Sequence, residues 1–113
     1  MTISYHHKTF RSLSNSGSGE VDGETCFHYR QEGKIVTATY SGGAIQYGQL
    51  IARMNDEGIL DMRYQHVNRD GQLMTGQCIS TPEVLANGKL RLHEQWTWTS
   101  GDGSSGISIV EEV

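Results

Sequence analysis

Hydrophobic and polar residues alternate with a period of two along most of this 113-residue chain. Such alternation places successive side chains on opposite faces of a β-strand. Clusters of Gly, Asn, Asp and Ser separate the alternating segments, as hairpin turns require, and no segment keeps the apolar spacing of an amphipathic helix free of glycine. The pattern predicts strands near residues 3–11, 24–31, 34–41, 44–55, 59–67, 72–80, 89–99 and 106–112.

Strands joined in sequence by short hairpins form an antiparallel up-and-down meander, and closure into a barrel removes the exposed edges. We therefore predict one all-β domain over residues 1–113, a small closed or nearly closed barrel whose interior holds side chains or one small ligand. At most one short helix is expected, near 80–85, where Thr81 can cap it and Pro82 suits its first turn. The Ser- and Gly-rich stretch 12–23 is predicted to be a flexible loop without chemistry.

Composition and charge argue against several classes of partner. The net charge of −4 is spread without a long run of one sign, so neither nucleic acid nor a membrane is an expected partner. The first residues are interrupted by His6, His7 and Lys8, unlike a signal peptide, and we expect a cytoplasmic protein. In a reducing cytosol Cys26 and Cys78 are predicted to be free thiols in or near the core.

The sequence contains no recognisable metal-binding or cofactor-binding motif. His6 and His7 lie next to each other on the first predicted strand and would point to opposite faces, and the other histidines lack the spacing of a zinc site. The Gly-rich stretch 101–106 has neither the Lys-Ser/Thr pair nor the following helix of a phosphate-binding loop. We expect no metal and no cofactor.

An acidic residue falls on the apolar face of the strand near 89–99. Period two places Glu94 beside Trp96 and Trp98, whereas His93 and Gln95 point to the opposite face. An unpaired carboxylate in such surroundings costs several kcal/mol or is neutralised by a raised pKa. Glu94 is therefore expected to be buried and to have a partner.

The strand near 59–67 carries a second polar group, His66, on the same face as Met62 and Tyr64. A Glu and a His that converge inside an aromatic-lined cavity can grip a polar ligand or carry out acid–base chemistry. The alternative is a satisfied structural network in an ordinary core. We assign no catalytic residue, and we predict a ligand site formed by Glu94, His66, Tyr64, Trp96 and Trp98.

Several segments resemble those of a family of short bacterial proteins, and together they cover nearly the whole chain. They are Phe27–Gly33, Thr39–Gly43, Asp61–Tyr64, Met74–Gly76, Ser80–Glu83 and Leu92–Asp102. Members of that family are often labelled N-acetylglutamate synthase. The resemblance therefore implies an acetyltransferase, without an assigned mechanism or catalytic residue set.

The residues themselves favour a different function. An acetyltransferase of that kind binds the acetyl-CoA pyrophosphate on a turn that opens a helix, and the nearest match, Arg30–Ile35, continues as a strand. We therefore favour a non-enzymatic module that binds a small ligand in its interior, or a structural domain, and keep the enzyme as the alternative. Self-association into a homodimer through the strand at Ile107–Val110 is a further hypothesis.

Overall fold

Eight antiparallel strands close into a barrel in the computed structural model, which describes residues 3–113. Each strand pairs with its neighbours in sequence, and the first strand also pairs with the last. The all-β prediction is confirmed, including closure of the barrel. The strands are β1 Thr9–Asn15, β2 Cys26–Glu32, β3 Ile35–Gly42, β4 Ile45–Met54, β5 Leu60–Asn68, β6 Leu73–Val84, β7 Leu90–Trp98 and β8 Ser105–Glu112.

The alternating pattern determines which side chains face the interior. Along β7, Leu92, Trp96 and Trp98 are buried while His93 and Gln95 are exposed. The same alternation runs along β3, whose Val36, Ala38 and Tyr40 are buried between exposed neighbours. The inward-facing side chains of all eight strands form one continuous core, because closure leaves the barrel with only one interior.

The two ends of the barrel are built differently. One end, called here the closed end, consists of the segment 3–8 and the turns at 33–34, 55–59 and 85–89. Tyr5 is fully buried there, packs on Phe10 and Tyr29, and donates a hydrogen bond to the carbonyl oxygen of Gly58 at 2.6 Å. The other end, called the mouth, consists of the loop 16–25 and the turns at 43–44, 69–72 and 99–104. Open space in the interior is therefore expected beneath the mouth.

Strand β1 lies later in the chain than the sequence pattern predicted. The prediction placed a strand at 3–11 and a loop at 12–23, but the strand runs from Thr9 to Asn15. A tight turn precedes it, in which His7 has a φ of 59° and the rings of His6 and His7 lie 3.9 Å apart. The Ser-rich part is held as strand by β8, with a bulge between Ser12 and Ser14. Because β8 lies at the other end of the chain, nothing in the local sequence indicates that this part of β1 is a strand.

The short helix allowed near 80–85 is not formed. Strand β6 continues through that stretch and stays paired with β7, with Pro82 opposite Leu92. Its pairing with β5 ends earlier, at Ser80 opposite Leu60. Proline is tolerated at this position because β5 no longer pairs with this part of β6, so the missing N–H costs no hydrogen bond to β5. Among residues 3–113 there is no helix long and apolar enough to cross a membrane.

Candidate functional site

Aromatic rings line the interior beneath the mouth. The ring centroid of Trp98 lies 5.8 Å from that of Trp96, 5.7 Å from Tyr64 and 5.6 Å from His66. Tyr40 lies on the far side of His66 at 5.7 Å. Spacings of this size are typical of favourable edge-to-face and offset contacts. These five residues, called here the aromatic wall, form a continuous apolar surface with polar atoms at its rim.

Glycines on neighbouring strands make room for three of these rings. A Cβ added at each of these glycines would come within 2.4 Å of the ring that lies over it. Bulkier residues at these positions would therefore push the rings into the cavity. The cross-strand pairs are Tyr40 with Gly48, Tyr64 with Gly76 and Trp96 with Gly106.

A hydrogen-bonded network joins the aromatic wall to the loop 16–25. The His66 Nε2 atom lies 2.8 Å from Oε1 of Glu20, and its Nδ1 atom lies 3.0 Å from the Tyr40 hydroxyl. Because a carboxylate only accepts, Nε2 carries the proton, and in the neutral imidazole the Tyr40 hydroxyl therefore donates to Nδ1. Asn68 donates from Nδ2 to the other oxygen of Glu20 at 3.0 Å. One carboxylate therefore bridges two side chains of β5.

Glu94 lies deeper in the interior, between β6 and β8. It stands in register with Ser80 on one side and Ser108 on the other, and the Ser108 hydroxyl donates to its Oε1 at 3.1 Å. Burial raises the pKa of Glu94 from 4.5 to about 7, while Ser108 and Ser80 lower it. Among residues 3–113, the Ser80 hydroxyl nevertheless has no partner at hydrogen-bond distance. Glu94 is thus a carboxyl poised between its neutral and charged forms near neutral pH.

Two tyrosines and one cysteine of the interior keep their protons. Burial raises the pKa of Tyr40, Tyr64 and Cys78, and the charge of Glu94 raises each of them further. Cys78 is a buried free thiol and Cys26 a partly buried one, and the raised pKa of Cys78 makes it a poor nucleophile. Within residues 3–113, no three His, Cys, Asp or Glu side chains are grouped to hold a metal ion.

The cavity enclosed by these groups is small. Its volume is about 50 Å³, room for a few water molecules, whereas pockets for drug-sized ligands measure roughly 300–1,000 Å³. Glu20 and Val21 of the loop 16–25 line its upper side. A groove of about 770 Å³ lies on the outer wall, but mainly solvent-facing Thr, Gln and basic side chains line it. The interior cavity is the place where the aromatic wall and the buried polar groups meet.

All five residues of the predicted site, Glu94, His66, Tyr64, Trp96 and Trp98, line this one cavity. Glu94 and His66 make no hydrogen bond to each other, since each has a different partner. Sequence reasoning missed Glu20, which lies in a stretch predicted to carry no chemistry. The only local signal is Val21 beside it, an apolar residue in an otherwise polar loop.

Comparison with known proteins identifies a family. A model of the family described as avidin-like protein matches residues 3–113. No curated protein and no solved structure matches the chain significantly. The family match overturns the resemblance to the proteins labelled N-acetylglutamate synthase. The segments that carried that resemblance are mostly hairpin strands and Gly-rich turns, which small β-barrels share for steric reasons and which specify no acetyl-CoA site.

Proposed function

The chain belongs to the avidin-like protein family, and from that membership we propose that it is a non-enzymatic barrel that binds a small molecule beneath its mouth. Avidin-like proteins are non-enzymatic and bind small ligands such as biotin. One observation carries the proposal for this chain. Glu94 and the aromatic wall, a partly buried carboxyl and a set of flat apolar surfaces, meet in a single interior cavity.

The cavity suits a ligand with a flat apolar body and a polar edge. Tyr64, Trp96 and Trp98 offer ring faces and edges for the apolar part. Glu94 offers a hydrogen-bond acceptor when ionised and a donor when protonated. A hydrogen bond to such a charged group contributes about 1.5–3 kcal/mol, enough to orient a ligand that the rings alone would hold loosely.

The arrangement of Glu94 and His66 favours ligand binding over catalysis. Acid–base chemistry by Glu94 and His66 would need both groups to face the substrate. The two groups share no hydrogen bond, since His66 contacts Glu20 and Tyr40 whereas Glu94 contacts Ser108. Cys78 and the wall tyrosines hold their protons, as the rise in their pKa requires.

Fluorescence provides a direct test of this function. Trp96 and Trp98 are the only tryptophans of the chain, and both line the cavity, so tryptophan emission reports on this site alone. We expect biotin or 2-naphthamide to change that emission saturably. Glu94→Gln should weaken the binding about 10- to 150-fold, the equivalent of one charged hydrogen bond. His93→Ala, on the outer face of the same strand, is the matched control. Linear, non-saturating responses to both probes would exclude an interior binding site.

We also propose that the barrel forms a homodimer, since avidin-like proteins often form oligomers. Strand β8 pairs with β1 and with β7, so a second copy cannot add to its edge as the sequence suggested. Its outer face is the available surface, and Ile107 there is 64% exposed. Light scattering at tens of micromolar is expected to give the mass of two chains, and Ile107→Lys to give the mass of one. A single-chain mass for the unmodified protein would rule out the dimer.

A further inference from the structure

We infer that the loop 16–25 is a displaceable plug and that Glu20 occupies the place of a carboxylate carried by the ligand. The inference rests on the proposed function and adds to it a chemical class of ligand, a planar apolar acid. In this arrangement the carboxylate of the ligand replaces that of Glu20 on His66 and Asn68. The rest of the ligand then lies along the aromatic wall, in space that the loop vacates.

The two donors are shaped for one carboxylate. His66 Nε2 and Asn68 Nδ2 each bind a different oxygen of Glu20, at 2.8 and 3.0 Å, in the paired manner typical of carboxylate recognition. The His66 ring is 1% exposed whereas the Glu20 side chain is 23% exposed. The donors thus belong to the interior and Glu20 reaches them from outside.

Both donors are held in place without help from the loop. Tyr40 orients the His66 ring through Nδ1, as described above. The Asn68 Oδ1 atom accepts hydrogen bonds from the backbone N–H groups of Asp70 and Gln72, at 3.1 and 2.9 Å, which fixes its amide group. Removal of Glu20 therefore leaves a preformed pair of donors, of which His66 lines the cavity.

The two ends of the loop are anchored, because the Ser16 N–H donates to the carbonyl oxygen of Ile107 at 3.0 Å and the Thr25 hydroxyl donates to that of Gly42 at 3.1 Å. The middle of the loop is held by replaceable contacts. Trp98 donates from Nε1 to the carbonyl oxygen of Ser18 at 3.3 Å, and Asn15 donates to that of Val21 at 3.1 Å. Residues 16–25 have no strand pairing, and β1 and β2 join in only three registered pairs. Displacing the middle of the loop therefore breaks no pairing between strands, and it opens a cavity that is otherwise too small for a ligand.

The exchange also balances charge. When the ligand carboxylate enters, the carboxylate of Glu20 returns to water, so the number of negative groups beside His66 stays the same. The desolvation of one anion is then offset by the rehydration of another. A ligand with a neutral amide gains less binding free energy from His66 and Asn68. It offers one acceptor oxygen to two donors, and its N–H₂ group would face a donor.

The test compares 2-naphthoate with the neutral 2-naphthamide by tryptophan fluorescence. We expect Glu20→Ala to bind 2-naphthoate at least about tenfold more tightly than the unmodified protein, because the competing side chain is gone. The increase in the affinity of Glu20→Ala for 2-naphthamide should be clearly smaller. Glu24→Ala removes an exposed glutamate from the same loop and should behave as the unmodified protein. Glu20→Gln, which keeps the shape of the side chain, should also bind 2-naphthoate more tightly.

The outcomes separate this inference from the proposed function. If neither probe binds any variant, both fail. If the probes bind but Glu20→Ala and Glu20→Gln gain no affinity for 2-naphthoate, or gain equally for the amide, only the carboxylate assignment fails. Hydrogen exchange adds a second measurement on the unmodified protein. Saturating 2-naphthoate should speed the exchange of the amides of residues 16–25, and unchanged or slower exchange would overturn the plug.

Discussion

Glu94→Gln is expected to remove a pH dependence of stability that amounts to about 3 kcal/mol. The pKa of Glu94 is raised by burial from 4.5 to about 7 in the folded protein. In the unfolded chain the carboxyl returns to its usual value near 4.5. Folding therefore favours the protonated form of this side chain, and a neutral isostere avoids the cost of burying the charge.

The sign of this pH dependence follows from the pH at which Glu94 releases its proton in the folded and in the unfolded state. Below about pH 4.5 Glu94 is protonated in both states, and the advantage of burying a neutral carboxyl is fully present. Between about pH 4.5 and 7 the unfolded chain ionises first, which stabilises the unfolded state and lowers the free energy of unfolding. Above about pH 7 both states are ionised and the loss is complete.

Urea denaturation at pH values from about 4 to 8 measures this effect. The difference in free energy of unfolding between Glu94→Gln and the unmodified protein should grow in favour of the variant across that range. Glu57→Gln makes the same chemical change at an exposed position in the turn between β4 and β5, so it should leave the pH profile unchanged. Parallel profiles for Glu94→Gln and the unmodified protein would mean that the buried carboxyl ionises normally.

Gly48→Ala is expected to lower the free energy of unfolding by about 1–3 kcal/mol, through overpacking. The added Cβ would lie 2.4 Å from the Tyr40 ring and 2.9 Å from the Cβ of His66. The ring can swing only by giving up its hydrogen bond to His66, and the Cβ of His66 cannot move without its backbone. The strain therefore falls on the centre of the candidate site.

A matched substitution separates this steric effect from the general effect of replacing glycine. Gly23 has no positive φ, and a Cβ there would meet nothing closer than 3.9 Å. Gly23→Ala should leave the stability unchanged or raise it slightly, by restricting the unfolded chain. Urea denaturation compares the two variants. Equal stabilities would mean that Tyr40 yields to the methyl group without cost.

The alternation of side chains between the two faces of a strand is a property of the local backbone. Features that depend on this alternation alone were predicted well from the sequence. The strand number and the inward faces of β5 and β7 followed from the alternation, whereas closure of the barrel was inferred from the cost of exposed edges. His66 and Glu94 were therefore placed on the interior before any contact was known. Their neighbours on the same faces, Tyr64, Trp96 and Trp98, line the cavity for the same reason.

Features that depend on pairing between distant segments could not be predicted. The extent of β1 is set by β8, and the fit of Tyr64 over Gly76 is set by the register of β5 and β6. The position of Glu20 depends on how an irregular loop crosses the mouth, which no periodicity encodes. The family resemblance failed because its motifs were turns and strands, which many small barrels share for steric reasons.

The seam between β1 and β8 has a consequence for folding kinetics. Every other pairing joins neighbours in sequence, whereas this one brings Phe10 against Glu112 and closes almost the whole chain into a loop. Such closure carries the largest entropic cost, so we expect the seam to form last. The loop 16–25 follows β1 directly and reaches its final position only then. A ligand in the cavity, which Asn15 of β1 and Ser108 of β8 both line, should consequently stabilise the seam, slowing unfolding while leaving the earlier steps of folding unchanged.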